Sequence, residues 1–250
     1  MMLRYATPSL LLLTVAMTAA CDWMPGRPIR ADAPKPESEV HEFDPLWANY
    51  CSGCHGADGR FGPARPLNDP VYMSIADDAY LRNVIVNGVP GTMMPPMVAS
   101  QGGPMTDEQV GDIVNGMRAA WGSHAATNGT PPLQGKPGNA ANGLTVFATH
   151  CATCHGADGR GTPSAGSVVD DAFLAMTSDQ ALRSAIICGR LDLGMPNWRG
   201  RIGTRTVAAS EVTSPLTSKQ IDDLVAWLIS HRVKYPGAPY PDTADVGGSN

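Results

Sequence analysis

Apolar residues at helical spacing mark the ends of two long segments of the chain. After Thr106-Asp-Glu-Gln109 they occupy positions 110, 113, 114 and 117, and after Thr217-Ser-Lys-Gln220 they occupy positions 221, 224, 225 and 228. This spacing places the apolar side chains on one face of a helix. In both tetrapeptides the Thr hydroxyl can accept from the amide of the Gln three residues later, which is a capping box. No comparable alternation typical of a strand stands out, so the pattern predicts an all-α fold.

One sequence unit occurs twice. The segment Cys51-Ser-Gly-Cys54-His55-Gly-Ala-Asp-Gly-Arg60 recurs 100 residues later as Cys151-Ala-Thr-Cys154-His155-Gly-Ala-Asp-Gly-Arg160. An aromatic residue, Trp47 or Phe147, precedes the first Cys of each copy by four residues, about one helical turn. The repeat predicts two similar domains, 42–121 and 139–235, each made of a few short helices joined by long loops.

The other segments read as an export signal, a tether, a linker and a tail. Residues 1–21 have a basic start, an apolar stretch too short to span a bilayer and small residues before Cys21. This ending resembles a bacterial lipobox, in which Cys21 becomes the acylated N-terminus; ordinary cleavage after Ala20 is the alternative. Prolines predict an extended tether over 22–41 and a linker over 122–138, and residues 236–250 form a flexible tail.

Composition and charge limit the possible functions. With 27 Gly, 22 Pro and only 6% aromatic residues among 250, the domains should have many turns and small cores. A large prosthetic group would supply buried apolar surface. The net charge of −5 gives no reason to expect nucleic acid as a partner. The sequence shows no set of residues typical of acid–base or nucleophilic catalysis, so no small-molecule substrate is expected.

The repeated Cys-x-x-Cys-His motif predicts two covalently bound haem c groups. Each copy supplies two thiols for thioethers with the haem vinyl groups and one imidazole for the iron. These residues are Cys51, Cys54 and His55 in the first copy and Cys151, Cys154 and His155 in the second. A zinc site would not need His after each Cys pair, a thioredoxin-like pair would lie in a βαβ unit, and disulfides closing such short loops would be strained.

Both halves resemble class I c-type cytochromes, and the whole chain resembles di-haem cytochromes made of two tandem class I domains. The resemblance implies a Met as the second axial ligand, in a loop before the last helix of each domain. Met94 and Met195 fit, since each lies six residues after an aligned Gly and precedes a Pro. In the first half the other candidates are Met93, Met97 and Met105.

The resemblance also implies that the carbonyl of Pro63 or Pro163 accepts the Nδ1 hydrogen of the ligating His. The alternative for both residues is simply to turn the chain. Cys188 lies in an apolar run, so we expect its thiol to be buried.

Two six-coordinate haems without a substrate pocket predict an electron carrier in the periplasm, anchored by lipid to the inner membrane. Partners would be a quinol-oxidising complex, a terminal oxidase or a periplasmic dehydrogenase. The chain could also be the electron-transfer subunit of such a complex. A di-haem peroxidase-like enzyme, which needs one open haem site, is the alternative.

The two halves differ in charge and in one insertion. Residues 40–121 carry nine acidic and four basic residues, net −5, whereas residues 138–235 carry eight acidic and nine basic, net +1. About ten additional residues separate Met195 from Thr217 and include Arg199, Arg201 and Arg205. These arginines could be solvated, could pair with haem propionates or could dock an acidic partner.

Overall fold

The computed structural model describes residues 34–122, 129–202, 205–206 and 214–233. The predicted export signal, Cys21, most of the tether and the tail lie outside these ranges. Residues 34–40 belong to a separate unit and include a 3-10 turn, Glu37–Glu39. None of the helices in the described ranges is long and apolar enough to cross a membrane.

Each half contains five α-helices among its described residues, in the same order. In the first half these are α1 (Phe43–Tyr50), α2 (Ser52–His55), α3 (Pro70–Ile75), α4 (Asp78–Asn87) and α5 (Asp107–Trp121). In the second half they are α6 (Ala140–His150), α7 (Ala152–His155), α8 (Asp171–Met176), α9 (Asp179–Cys188) and α10 (Ser218–Ile229). Short 3-10 turns lie at Ala99–Gln101 and Leu191–Leu193.

The all-α fold predicted from the sequence is confirmed. The described strands, β1 (Arg201–Ile202) and β2 (Arg205–Thr206), form a two-stranded antiparallel ribbon within the insertion of the second half. Both predicted capping boxes form. Thr106 accepts from the amide of Gln109, whose side chain accepts from the amide of Thr106, and Thr217 and Gln220 repeat this pair of bonds. These bonds satisfy amides that the first turn of a helix leaves without partners.

The first and last helices of each half pack against one another through aromatic side chains. Trp47 on α1 meets Trp121 on α5 edge to face, with 4.8 Å between ring centres. Phe147 on α6 and Trp227 on α10 lie 4.2 Å apart. Apolar residues of α5 and α10 at the predicted helical spacing, including Ile113 and Leu224, are buried under these contacts. Each attachment motif therefore begins one helical turn after an aromatic residue that is packed in the core.

Much of the predicted linker packs on the second half. Arg183 of α9 is buried, and its Nη1 lies 2.6 Å from Oδ1 of Asp222 on α10. The Arg183 guanidinium also donates to the carbonyls of Pro132 and Leu133. Oδ1 of Asp222 accepts from the amide of Lys136 at 3.1 Å. A buried cation and carboxylate thus hold residues 132–136 against the second domain.

The two halves also contact each other directly, through α3 and α9. Tyr72 of α3 and Cys188 at the end of α9 are both buried, and Cys188 lies beside Arg65 and Asp69 of the first half. Cys188 is therefore buried as its apolar run predicts. The contact that buries it, between halves, was not foreseen from the sequence.

Candidate haem sites

Each Cys-x-x-Cys-His motif folds as one helical turn directly after the first long helix of its half. Cys51 ends α1 and accepts from the amides of Cys54 and His55, at 3.2 and 3.0 Å. Cys151 accepts from Cys154 and His155 at 3.1 and 3.0 Å. The motif therefore has the same backbone geometry twice. This one turn places the two thiols and the imidazole together, as attachment to one porphyrin requires.

A glycine follows each motif because the chain must turn sharply there. Gly56 has φ of 83° and Gly156 has φ of 80°, both in the region that favours glycine. A Cβ on Gly56 would lie 1.6 Å from the carbonyl oxygen of Arg60. The Gly56 carbonyl accepts from Trp47 Nε1 at 3.0 Å, so the core aromatic also fixes the chain just beyond His55.

The histidines of the two motifs are oriented by backbone carbonyls that the sequence did not indicate. His55 Nδ1 lies 3.1 Å from the carbonyl oxygen of Arg65, and His155 Nδ1 lies 2.9 Å from that of Gly166. The prediction that Pro63 and Pro163 provide these acceptors is wrong, because both prolines are exposed and turn the chain two or three residues earlier. In either half, donation from Nδ1 leaves the Nε2 lone pair free for a metal.

Burial favours the neutral forms of His55 and of the first thiol in each motif. Burial lowers the pKa of His55, although its bond to the Arg65 carbonyl opposes this. It raises the pKa of the Cys51 and Cys151 thiols to about 12 in each case, and the neighbouring thiol adds to the effect. The five cysteines in the described ranges are all free thiols, so neither motif forms a disulfide.

Met94 and Met195 occupy equivalent places in their loops. The carbonyl of Met94 accepts from the amide of Val89 at 2.9 Å, and that of Met195 accepts from Arg190 at 3.1 Å. A Cβ on Gly88 would come within 2.6 Å of the Met94 oxygen, and one on Gly189 within 2.5 Å of the Met195 oxygen. Only glycine allows this approach, which explains the constant spacing of six residues.

Two of the other candidate methionines, Met93 and Met105, have different surroundings, whereas Met97 is half-buried like Met94. Met105 is fully buried and pairs with Val98 in an isolated bridge. The side chain of Met93 is 82% exposed. Neither matches the half-buried position that Met94 shares with Met195. The repeat geometry therefore favours Met94 over these two neighbours as the counterpart of Met195.

The donor set fits a haem c in each half. It consists of two free thiols on one helical turn, an imidazole whose Nδ1 lies against a backbone carbonyl and whose Nε2 is available, and a thioether in the loop before the last helix. Within the described ranges, no group of three or more His, Cys, Asp or Glu side chains is arranged to hold a metal ion.

The insertion in the second half is anchored rather than fully solvated. Trp198 is buried, its amide donates to the carbonyl of Ile187 and its carbonyl accepts from Leu216. The Arg199 guanidinium lies 4.8 Å from the Trp198 ring centre, and Arg201 is exposed. The side chain of Arg205 lies outside the described part of the chain. A lone Trp among arginines was the only sequence signal for this anchor.

Both halves match cytochrome c family models. Residues 140–232 match the cytochrome c family, and residues 38–115 match the family described as cytochrome c oxidase, cbb3-type, subunit III. With two such domains and two intact motifs, the chain is a di-haem c-type cytochrome that carries two covalently bound haem c groups.

The curated relatives with similar sequences are subunits of cbb3-type cytochrome c oxidases. Over 175 residues the chain is 27% identical to the cbb3-type cytochrome c oxidase subunit FixP of Bradyrhizobium sp. (strain ORS 278), covering 67% of this chain and 57% of FixP. Over 168 residues it is 31% identical to FixPc of Rhizobium leguminosarum bv. viciae, covering 63% and 53%. It is 33% identical over 123 residues to the subunit CcoP of Rubrivivax gelatinosus, covering 49% and 36%. The matches thus span only about half, or less, of each relative's length.

Proposed function

We propose that this chain carries electrons as the di-haem cytochrome subunit of a cbb3-type or similar terminal oxidase. The observation that carries the proposal is the repeated geometry of the two sites. In each half, a His whose Nδ1 bonds to a backbone carbonyl follows the Cys pair, and a Met sits in a loop held by an aligned Gly. The similarity to oxidase subunits supplies the partner.

Each half holds its haem through its own residues. The thiols of Cys51 and Cys54, and those of Cys151 and Cys154, form the thioethers. His55 with Met94, and His155 with Met195, would hold the two irons. When bound, each haem supplies a one-electron Fe(III)/Fe(II) couple.

The protein sets the properties of that couple. The carbonyls of Arg65 and Gly166 fix the imidazole planes by accepting from Nδ1. The Met94 and Met195 side chains, as soft neutral ligands, would favour ferrous iron and raise the potentials relative to bis-His ligation. With an imidazole and a thioether available for each iron, the two sites would suit electron transfer rather than peroxide catalysis.

The location follows from the same proposal. Covalent haem c, the export signal and the oxidase relatives support a site at the periplasmic face of the inner membrane. Acylation of Cys21 would hold the chain there, and the prolines of residues 22–41 would let the haem domains reach a partner.

Isolation of the protein from membranes in mild detergent tests the proposal. A pyridine haemochrome assay should give two haems per chain that acid acetone does not extract. The chain should co-purify with a haem–copper oxidase, and the reduced protein should be oxidised by that complex. One haem per chain, or peroxide turnover by the wild-type protein, would contradict the proposal.

Cys21→Ser provides the control for the anchor. An acylated chain should partition into detergent and lose this behaviour, together with the mass of its lipid, on substitution. A native mass that matches cleavage after Ala20 without modification would reject the anchor but not the electron-transfer role.

A further inference from the structure

Arg65 occupies a fixed position between the first attachment motif and the junction of the two halves. Its carbonyl accepts from His55 Nδ1 at 3.1 Å, so its backbone lies beside the axial imidazole. The Cζ of its guanidinium lies 4.1 Å from the ring centre of Tyr72, a buried residue of α3. A cation–π contact of this kind holds the charge in one place.

Two donors of this guanidinium have no partner in the protein. Nε and Nη1 of Arg65 are buried and make no hydrogen bond. A buried donor without a partner is unfavourable, and more so when the group is charged. Such atoms in a well-packed region indicate a bound anion or acceptor that is not part of the polypeptide.

The neighbouring side chains do not meet this need. Cys188 lies beside Arg65, but burial raises the pKa of its thiol to about 12, so it carries no negative charge at neutral pH. Asp69 is buried and caps α3, accepting from the amide of Tyr72 at 2.8 Å. Neither Nε nor Nη1 of Arg65 donates to its carboxylate.

We propose that the unpartnered nitrogens of Arg65 donate to the propionate groups of the haem attached to Cys51 and Cys54. The inference rests on the haem ligation proposed above. Propionates are the anionic groups that every haem brings to its site, and a guanidinium forms strong charge-assisted hydrogen bonds with carboxylates. Arg65 is then a haem-binding residue as well as the backbone acceptor for His55.

The second half has no cation at the position equivalent to Arg65. Gly166 is the structural counterpart of Arg65, because its carbonyl accepts from His155 Nδ1. Glycine has no side chain to reach a propionate, so the two sites differ in charge at equivalent positions. Reduction lowers the charge on the iron, and a nearby cation therefore favours the ferrous state. Arg65 raises the potential of the first haem selectively.

Redox titration of the full-length holoprotein tests the assignment, with Arg65→Gln, Arg65→Lys and the control Arg82→Gln. Arg82 pairs at 3.0 Å with Asp107, and both side chains are exposed. In Arg65→Gln, the reduced-to-oxidised ratio of one haem at a fixed potential should fall about tenfold, equivalent to 59 mV for one electron. The potential of the other haem should not change. The titration step that shifts should be the one that also shifts in Met94→Ala.

Arg65→Lys keeps the positive charge, so its shift should be smaller, and Arg82→Gln should show none. Resonance Raman spectra add a structural readout, because the propionate bending bands should move in both Arg65 variants. Two haems per chain with unshifted potentials in Arg65→Gln would overturn the assignment and leave the proposed function intact. Failure of both Arg65 variants to retain two haems would assign Arg65 to folding instead, whereas fewer than two haems in the wild type would reject the proposed function itself.

Discussion

Gly116 on α5 packs against the ring of Phe43 on α1, so closely that a Cβ on Gly116 would lie 2.1 Å from Phe43 Cδ2. The second half reverses the sizes. Gly143, the equivalent of Phe43 eight residues before the first Cys, lies on α6 against Trp227, the equivalent of Gly116 ten residues after the capping Thr. In both halves a large side chain packs on a glycine where the first and last helices cross. The glycine lies on the last helix in the first half and on the first helix in the second half.

This reciprocal packing can be tested by substitution on α5. Gly116→Ala should destabilise the first domain by about 1–3 kcal/mol through overpacking, despite the higher helix propensity of Ala. The matched control is Gly111→Ala on the same helix, where the nearest atom to an added Cβ is 3.8 Å away, and this change should stabilise the domain by about 0.5–1 kcal/mol. Thermal unfolding of the holoprotein measures both.

A double exchange extends the test. Phe43→Gly combined with Gly116→Trp copies the arrangement of the second half, so the pair should be more stable than the sum of the single effects predicts. The coupling should be about 0.5–3 kcal/mol, as for residues in direct contact. Additive effects would show that the two positions do not share one packing site.

Loss of an axial thioether should be visible in the spectrum of one haem at a time. Met195→Ala and Met94→Ala should each remove the charge-transfer band of a Met bound to ferric iron and lower one potential. Met93→Ala is the matched control, because Met93 adjoins Met94 but is largely exposed. A change in Met93→Ala without one in Met94→Ala would contradict the assignment of Met94 as the ligand.

The buried pair of Arg183 and Asp222 should be far more important than an exposed pair nearby. Asp222→Ala leaves the Arg183 charge buried without its partner, and should destabilise the second domain by about 3–5 kcal/mol. Asp179→Ala removes the carboxylate that pairs with Arg232 at the surface, and should cost about 1 kcal/mol or less. Chemical denaturation, followed through the second haem, distinguishes the two. Similar costs would contradict the role assigned to the buried pair.

The exposed contact between His41 and Asp112 should make the first domain slightly less stable as pH rises. The hydrogen bond that His41 Nδ1 donates to the Asp112 carboxylate raises the pKa of His41 above its usual 6.5, so the charged form is favoured in the folded state. The contribution is complete below pH 6.5 and disappears as pH rises through the folded-state pKa. His41→Gln should remove this component of the unfolding midpoint. Salt should weaken it in the wild type, and an unchanged pH profile in the variant would exclude it.

Local patterns determined a large part of the fold. The capping boxes at Thr106 and Thr217 were predictable because a cap depends on side chains three residues apart. The attachment motifs are predictable for a similar reason, since one helical turn brings the cysteines and His together. The glycines at 88 and 189 and their methionines follow the repeat, and the structure gives that spacing a steric reason.

Contacts between distant residues were decided by the tertiary structure. The carbonyls that accept from His55 and His155 belong to Arg65 and Gly166 rather than to the aligned prolines, because the path of each loop determines which carbonyl reaches Nδ1. The same holds for the Arg183 contacts that draw the linker onto the second domain. The sequence by itself determined the haem motifs, the helical class and the repeat, because these depend on neighbouring residues. The packing of Phe43 on Gly116 and the unpartnered donors of Arg65 depend on side chains that approach only once the chain has folded.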